Sequence, residues 1–258
     1  MSTLPSAIPT SGRVRVRSGS SHRPRLRLVG FAAVAIVAGI FPAAVLGDIS
    51  PSSIDTFAAT NGGWQIGSAG VQPSRVAAPG PDSQIGYLSH FSDGSSSQGK
   101  WLMWNDQSQW LGNYTAAGVT GINLLANVSA GSSPVSMRIA FNGPGGWFYS
   151  ASRSASSGWN PYSFALDPAT FTYAAGSGGT GTFADTMSGV SRFEILAGAG
   201  GVSYRSSGNL LQAGTSTNTI LFDNIAAVPE PSTYVTAIAG LACGAWHLRG
   251  RRRRMMRR

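Results

Sequence analysis

The sequence predicts an all-β protein with one sandwich or barrel, and three observations predict it. Between residues 48 and 228 short apolar/polar alternations recur, whereas long helical periodicity does not. Stretches rich in Gly, Ser and Asn, such as 92–99, 143–146 and 176–181, separate those runs. The same 181 residues hold 26 of the 34 glycines and six of the seven tryptophans, which supplies both turns and the bulk for a core. One domain suffices for this length.

Charge marks off the ends. The chain of 258 residues has a formal charge of +9, yet residues 48–228 carry six cations against nine acids. Six arginines and no acid lie in residues 1–47, and seven arginines against Glu230 lie in 229–258. The basic excess is terminal, so no nucleic-acid partner is predicted. Cys243 is the one cysteine, which excludes a disulfide scaffold.

Taken in order, residues 1–47 combine Arg13, Arg15, Arg17, Arg23, Arg25 and Arg27 with an uncharged run from Leu28 to Gly47. A positive segment, an apolar helix and small residues are the parts of a secretory signal. Cleavage is expected before Asp48 or after Ala44; an uncleaved anchor is the other reading of so long a run. In the body, Val135, Met137, Ile139 and Phe141 alternate with polar or small residues as a half-buried strand does. Ile122, Leu124, Ala126 and Val128 form a second such run, with Leu125 on the opposite face. Tyr162–Leu166 and Phe193–Ala197 are shorter, and Thr219–Ile225, apolar on both faces at Ile220–Phe222, is expected in the middle of a sheet. The tail, 229–258, holds an uncharged helix of about 17 residues, near the lower limit for spanning a bilayer. Arg249 and Arg251, Arg252, Arg253 and Arg254 follow it as a stop-transfer cluster.

Val228-Pro229-Glu230-Pro231-Ser232, the short apolar helix and the arginine cluster together resemble the PEP-CTERM sorting signal. The resemblance implies an exported bacterial envelope or extracellular-matrix protein, with an exosortase-type membrane protease as partner. The two prolines lack a donor and favour extended neighbours, so the motif is expected as an accessible strand-like stretch.

The body also resembles the jelly-roll sandwiches of the galactose-binding-like and laminin-B-like groups. The residues concerned are Ile54–Trp64, Trp110–Tyr114, Gly158–Tyr162 and the closing Phe222-Asp223-Asn224-Ile225. That resemblance implies carbohydrate or protein binding. It also implies a structural calcium in some members, for which Asp223 matches but Ala58 replaces the expected glutamate.

Catalytic chemistry is scarce. The body has one histidine, His90, expected on a polar face, and one glutamate, Glu194, expected on the solvent face of its strand. Neither a zinc site nor a nucleophile elbow can be assembled. Gly176–Gly181 fits G-x-G-x-x-G but lacks a convincing helix after it, so a loop is predicted rather than a dinucleotide site. Trp101, Trp104 and Trp110, with Asn105 and Asp106 beside them, are the candidate sugar platform, against the alternative that the tryptophans fill the core. The sequence therefore reads as a sorted, exported sandwich with a structural or adhesive role and no cofactor. A carbohydrate-binding module for matrix polysaccharide is the alternative, and a glycan hydrolase with an unrecognised carboxylate pair is the second.

Overall fold

A computed structural model of the chain describes residues 49–230 apart from 68–69, 82, 95–99 and 132–133. All belong to the unit formed by residues 43–258. The signal read at 1–47, the tail helix, Pro231, Ser232 and the arginine cluster lie outside the described residues. Among the described residues no helix is long and apolar enough to cross a membrane.

The chain runs through β1 (Ile54–Asp55), β2 (Gln65–Ile66), β3 (Ser74–Pro79), β4 (Ile85–Asp93), β5 (Trp101–Asn105) and β6 (Val119–Gly131). Next come β7 (Val135–Gly143), β8 (Gly146–Ser150), β9 (Arg153–Ala155), β10 (Asn160–Ala165) and β11 (Phe171–Tyr173). A one-turn helix, α1 (Phe183–Met187), precedes β12 (Arg192–Ala197), β13 (Ser203–Arg205), β14 (Leu210–Gln212) and β15 (Thr217–Pro229). A six-stranded sheet has the order β10-β6-β15-β4-β3, with β1 also on β15. A seven-stranded sheet has the order β11-β8-β7-β12-β5-β2, with β9 on β7. The two form an all-β, jelly-roll-type sandwich. The β13–β14 hairpin pairs only with itself.

Strand period places the core. Val135, Met137, Ile139 and Phe141 of β7 are buried, as are Ile122, Leu124, Ala126 and Val128 of β6, while Leu125 points outward. β15 lies between β6 and β4 and sends Ile220, Phe222 and Ile225 inward. A bulge at Asp223–Asn224, with Asn224 at φ 50°, shifts its register from Asp223↔Leu125 to Ala226↔Asn123.

Phe193 sits at the centre of the core. Its ring lies 5.0 Å from Phe141 in a stacked arrangement, and 5.3 Å from both Trp64 and Trp110. Beneath these rings, buried Asp55 ties three segments together. Trp64 Nε1 and Trp110 Nε1 donate to its Oδ2 at 2.7 and 2.8 Å, and Gln109 Nε2 donates to Oδ1 at 2.7 Å. Burial raises the Asp55 carboxyl above its ordinary value, and the three donors oppose that shift. The loop over it turns at Gly62, φ 63°, where a Cβ would stand 2.9 Å from the carboxylate.

Candidate functional site

The tryptophans of the candidate platform do not form one. Trp101 and Trp110 are fully buried in the core. Trp101 packs 5.1 Å from Phe222 and donates from Nε1 to the His90 carbonyl, while Trp110 donates to Asp55. Trp104 faces the other side of the seven-stranded sheet, where Arg192 lies 4.3 Å over its ring and its Nε1 donates to Gly67 O. Asn105 is buried and structural, since its Nδ2 donates to Gly62 O and its Oδ1 accepts from Gln107 N. Asp106 accepts a hydrogen bond from Gln107. The physical reason is size: large apolar rings in a glycine-rich sandwich are what fills it.

The open aromatic surface is elsewhere, on the outer face of the six-stranded sheet. On β4, Leu88, His90 and Ser92 point in, so Ile85, Tyr87, Ser89 and Phe91 point out. Ile85 and Phe91 are 59% and 60% exposed, and Tyr87 is half-buried. Half-buried Trp159, in the loop before β10, meets Tyr87 edge to face at 5.5 Å. In the sheet, β15 and β6 lie between β4 and β10, a separation of about 14 Å at ordinary strand spacing. The two rings meet because the loop before β10 reaches inward over β6. Gly158 N donates to Asn127 Oδ1 of β6 at 2.9 Å, which fixes the loop that carries Trp159.

Register places polar groups around this pair. Ser74 of β3 is opposite Ser89, which is opposite Leu221 of β15, which is opposite Asn127. Thr219 is opposite Phe91. The centre of the face thus offers aromatic edges, hydroxyls and an amide without an exposed charge. Asp93 stands at the far end of β4, and Asp223, facing this side, is fully buried.

His90 is a correction to the expected polar face. It lies in the core, its ring 4.8 Å from Trp101, and burial lowers its pKa from 6.5 to about 4. The unfolded chain therefore takes up a proton before the folded one does as pH falls from 6.5 toward 4. Folding stability is lost across that window, by roughly 3 kcal/mol for this group. Chemical denaturation at several pH values is expected to show this loss in the native chain and not in His90→Phe. Equal slopes in the two proteins would remove His90 as the cause.

Asp223, the residue matching the calcium position, is fully buried in β15. Its Oδ1 accepts from Asn224 N at 2.8 Å, and a Cβ on Gly80 would stand 2.5 Å from Oδ2. Among the described residues no group of three or more His, Cys, Asp or Glu is placed to hold a metal. Glu194 points outward from β12, as its parity requires, but is fully buried under β13–β14 rather than solvated. The glycine run 176–181 is followed by a helix after all, α1, capped by the Thr182 hydroxyl on Asp185 N. It remains unsuited to a pyrophosphate, because the helix has one turn and Asp185 occupies its start.

The expected accessible sorting motif is partly inside the sheet. Val228 pairs with Gly121, Pro229 pairs with Val119 and is buried, and Glu230 N donates to Gly118 O. Of the described motif residues, Glu230 alone is exposed. Pro229 does not hold the segment away, because it needs no donor at the last position of its strand.

These features define a jelly-roll-type β-sandwich with an open aromatic face on one sheet. No family model matches the chain, and no curated protein is significantly similar to it. Among solved structures, it is similar to the CBM22-1–GH10 modules of endo-1,4-β-D-xylanase 10B from Clostridium thermocellum, complexed with xylohexaose. There the TM-score is 0.42 at 13% identity, over 71% of this chain but only 29% of that one. A family 11 carbohydrate-binding module from Clostridium thermocellum, in complex with a β-1,3-1,4-mixed-linked tetrasaccharide, gives 0.40 at 9% identity, covering 61% and 83%. The CBM22-1 xylan-binding domain of Paenibacillus barcinonensis Xyn10C gives 0.40 at 13% identity, covering 71% and 98%. These are distant likenesses of strand layout.

Proposed function

We propose that the protein is a non-catalytic polysaccharide-binding protein whose ligand lies on the outer face of the six-stranded sheet. The observation that carries this reading is the half-exposed Tyr87–Trp159 pair, set among Ser89, Asn127 and Thr219 on a face with no exposed charge at its centre. Sugar rings present apolar C–H surfaces that stack on such rings, and hydroxyls that hydrogen-bond to such side chains. The tail reading adds export, recognition of Val228–Ser232 by an exosortase-type protease, and a place at the cell surface or in the matrix. Glu194 lies beneath the hairpin and Asp55 accepts from three donors, so neither offers a carboxylate to this face.

The test is affinity electrophoresis of the full chain, in detergent, through gels containing xylan, mixed-linkage glucan or an acidic polysaccharide. Retardation of the native chain by at least one polymer is expected. Tyr87→Ala and Trp159→Ala should each weaken it about tenfold, the cost of truncating a central aromatic contact. Val71→Ser, at an exposed position elsewhere, should leave it intact. Unchanged retardation in the Tyr87→Ala, Trp159→Ala double variant would move the site away from this face. No retardation of the native chain by any polymer would remove the function itself.

A further inference from the structure

The β13–β14 hairpin is a separate piece of structure laid over the outer face of the seven-stranded sheet. Three residues long on each side, it pairs with no other strand. Its chain enters and leaves through a glycine neck. Gly214 N donates to Ala199 O at 2.9 Å, and a Cβ at Gly214 would stand 1.9 Å from that oxygen. Gly198, at φ 145°, leaves no room for a Cβ against Gly214 O, whereas Gly200 and Gly201 have open space around them. The Gly198–Gly214 contact is a clasp, tied to β7 by Gly198 N donating to Ser136 O at 2.9 Å, and the room to turn lies beyond it, at Gly200 and Gly201.

What holds the hairpin down is a small apolar contact and a few polar bonds. Leu210, Leu211 and Ala213 pack on Leu102, Trp104, Trp147 and Leu196. Leu211 N donates to Glu194 Oε2 at 3.0 Å, and Trp147 Nε1 donates to Asn209 Oδ1 at 3.0 Å. Arg192 Nη1 donates to the carbonyls of Gly208 and Asn209, both at 2.9 Å. At the centre, Glu194 is completely buried and its Oε1 has no hydrogen-bond partner. Arg138 Nη1, on the neighbouring β7, is likewise buried without one.

Burial drives the Glu194 carboxyl well above its ordinary range, against the smaller opposing effects of Leu211 N–H and Arg192. The charged and titratable groups around it are Arg192 on its own strand, Arg138 on β7, Tyr149 on β8 and Tyr204 on the hairpin. β5 contributes only Leu102 and Trp104. An ionised Glu194 in this closed site would have one donor for two oxygens, and lifting the hairpin lets water serve the second.

We propose that β13–β14 is a hinged flap, held shut while Glu194 is a neutral acid, which swings off the sheet when Glu194 ionises and lays bare Trp104 and Trp147. Hydrogen exchange of the full chain, read by mass spectrometry as the pH is raised and corrected for intrinsic rates, tests it. Once Glu194 titrates, protection of segment 203–212 should fall about tenfold per pH unit, while segments 119–131 and 217–229 hold theirs. In Glu194→Gln, which keeps the acceptor for Leu211 N but cannot ionise, protection of 203–212 should be independent of pH. Loss of hairpin protection only together with the sheets would overturn the flap, a result the native chain alone can give. A pH dependence that persists in Glu194→Gln would overturn Glu194 as the latch.

Discussion

Replacing Asp55 with alanine is expected to cost about 4 kcal/mol of folding stability, the sum of two buried indole donors left without an acceptor and one lost charge-assisted bond. Trp64 and Trp110 both direct Nε1 at the same carboxylate oxygen, and neither can reach water in the core. Asp55→Asn should cost far less, about 1 kcal/mol. Its remaining oxygen can accept both indoles, and the exposed Gln109 amide can turn over to offer an oxygen to the new NH2. Urea midpoints of the three proteins check this ordering. Near-equal losses in the alanine and asparagine variants would show that the three-donor node is not what Asp55 contributes.

Phe193→Ala is the second large effect, at about 3–5 kcal/mol. Three rings surround the Phe193 side chain, and they come from different places: Trp64 from the loop before β2, Trp110 from a turn after β5, and Phe141 from β7. Trp64 and Trp110 are pinned by their shared bonds to Asp55 and Phe141 by its place in β7, so the space left behind cannot close. Phe193→Leu, which leaves less empty volume, should cost about half as much. A loss under about 1 kcal/mol for the alanine variant would mean that the rings do collapse into the gap.

The runs at 135–141 and 122–128 were legible in the sequence because a sheet with one buried face enforces period two. β15 was legible as a central strand because both its sides are apolar. Alternation failed where neither face was clearly polar. Leu88, His90 and Ser92 alternate with Tyr87, Ser89 and Phe91, and each set mixes apolar with polar residues. The histidine suggested the outside, yet it is the tyrosine and phenylalanine that lie there. That inversion hid the candidate face, together with Trp159, whose meeting with Tyr87 joins residues 72 positions apart. Glu194 shows the other limit. Parity assigns a side chain to a face, but not whether a later hairpin will cover that face. The node at Asp55 depends on a contact with Trp110 over 55 positions, for which no local pattern exists.

β15 has a mechanical consequence. It runs from Thr217 in the middle of the six-stranded sheet to Pro229 without an intervening turn, on β6 along its length and beside β4 at Thr217–Phe222 and β1 at Ile225–Ala226, and the tail follows in sequence. Tension applied beyond residue 230 therefore acts along the strand and loads its cross-strand bonds in shear on either side of the Asp223–Asn224 bulge, instead of unzipping them one by one. Leu221, in the centre of the proposed ligand face, belongs to this same strand. A tug on a bound polymer and a pull on the tail would meet within one continuous stretch of backbone.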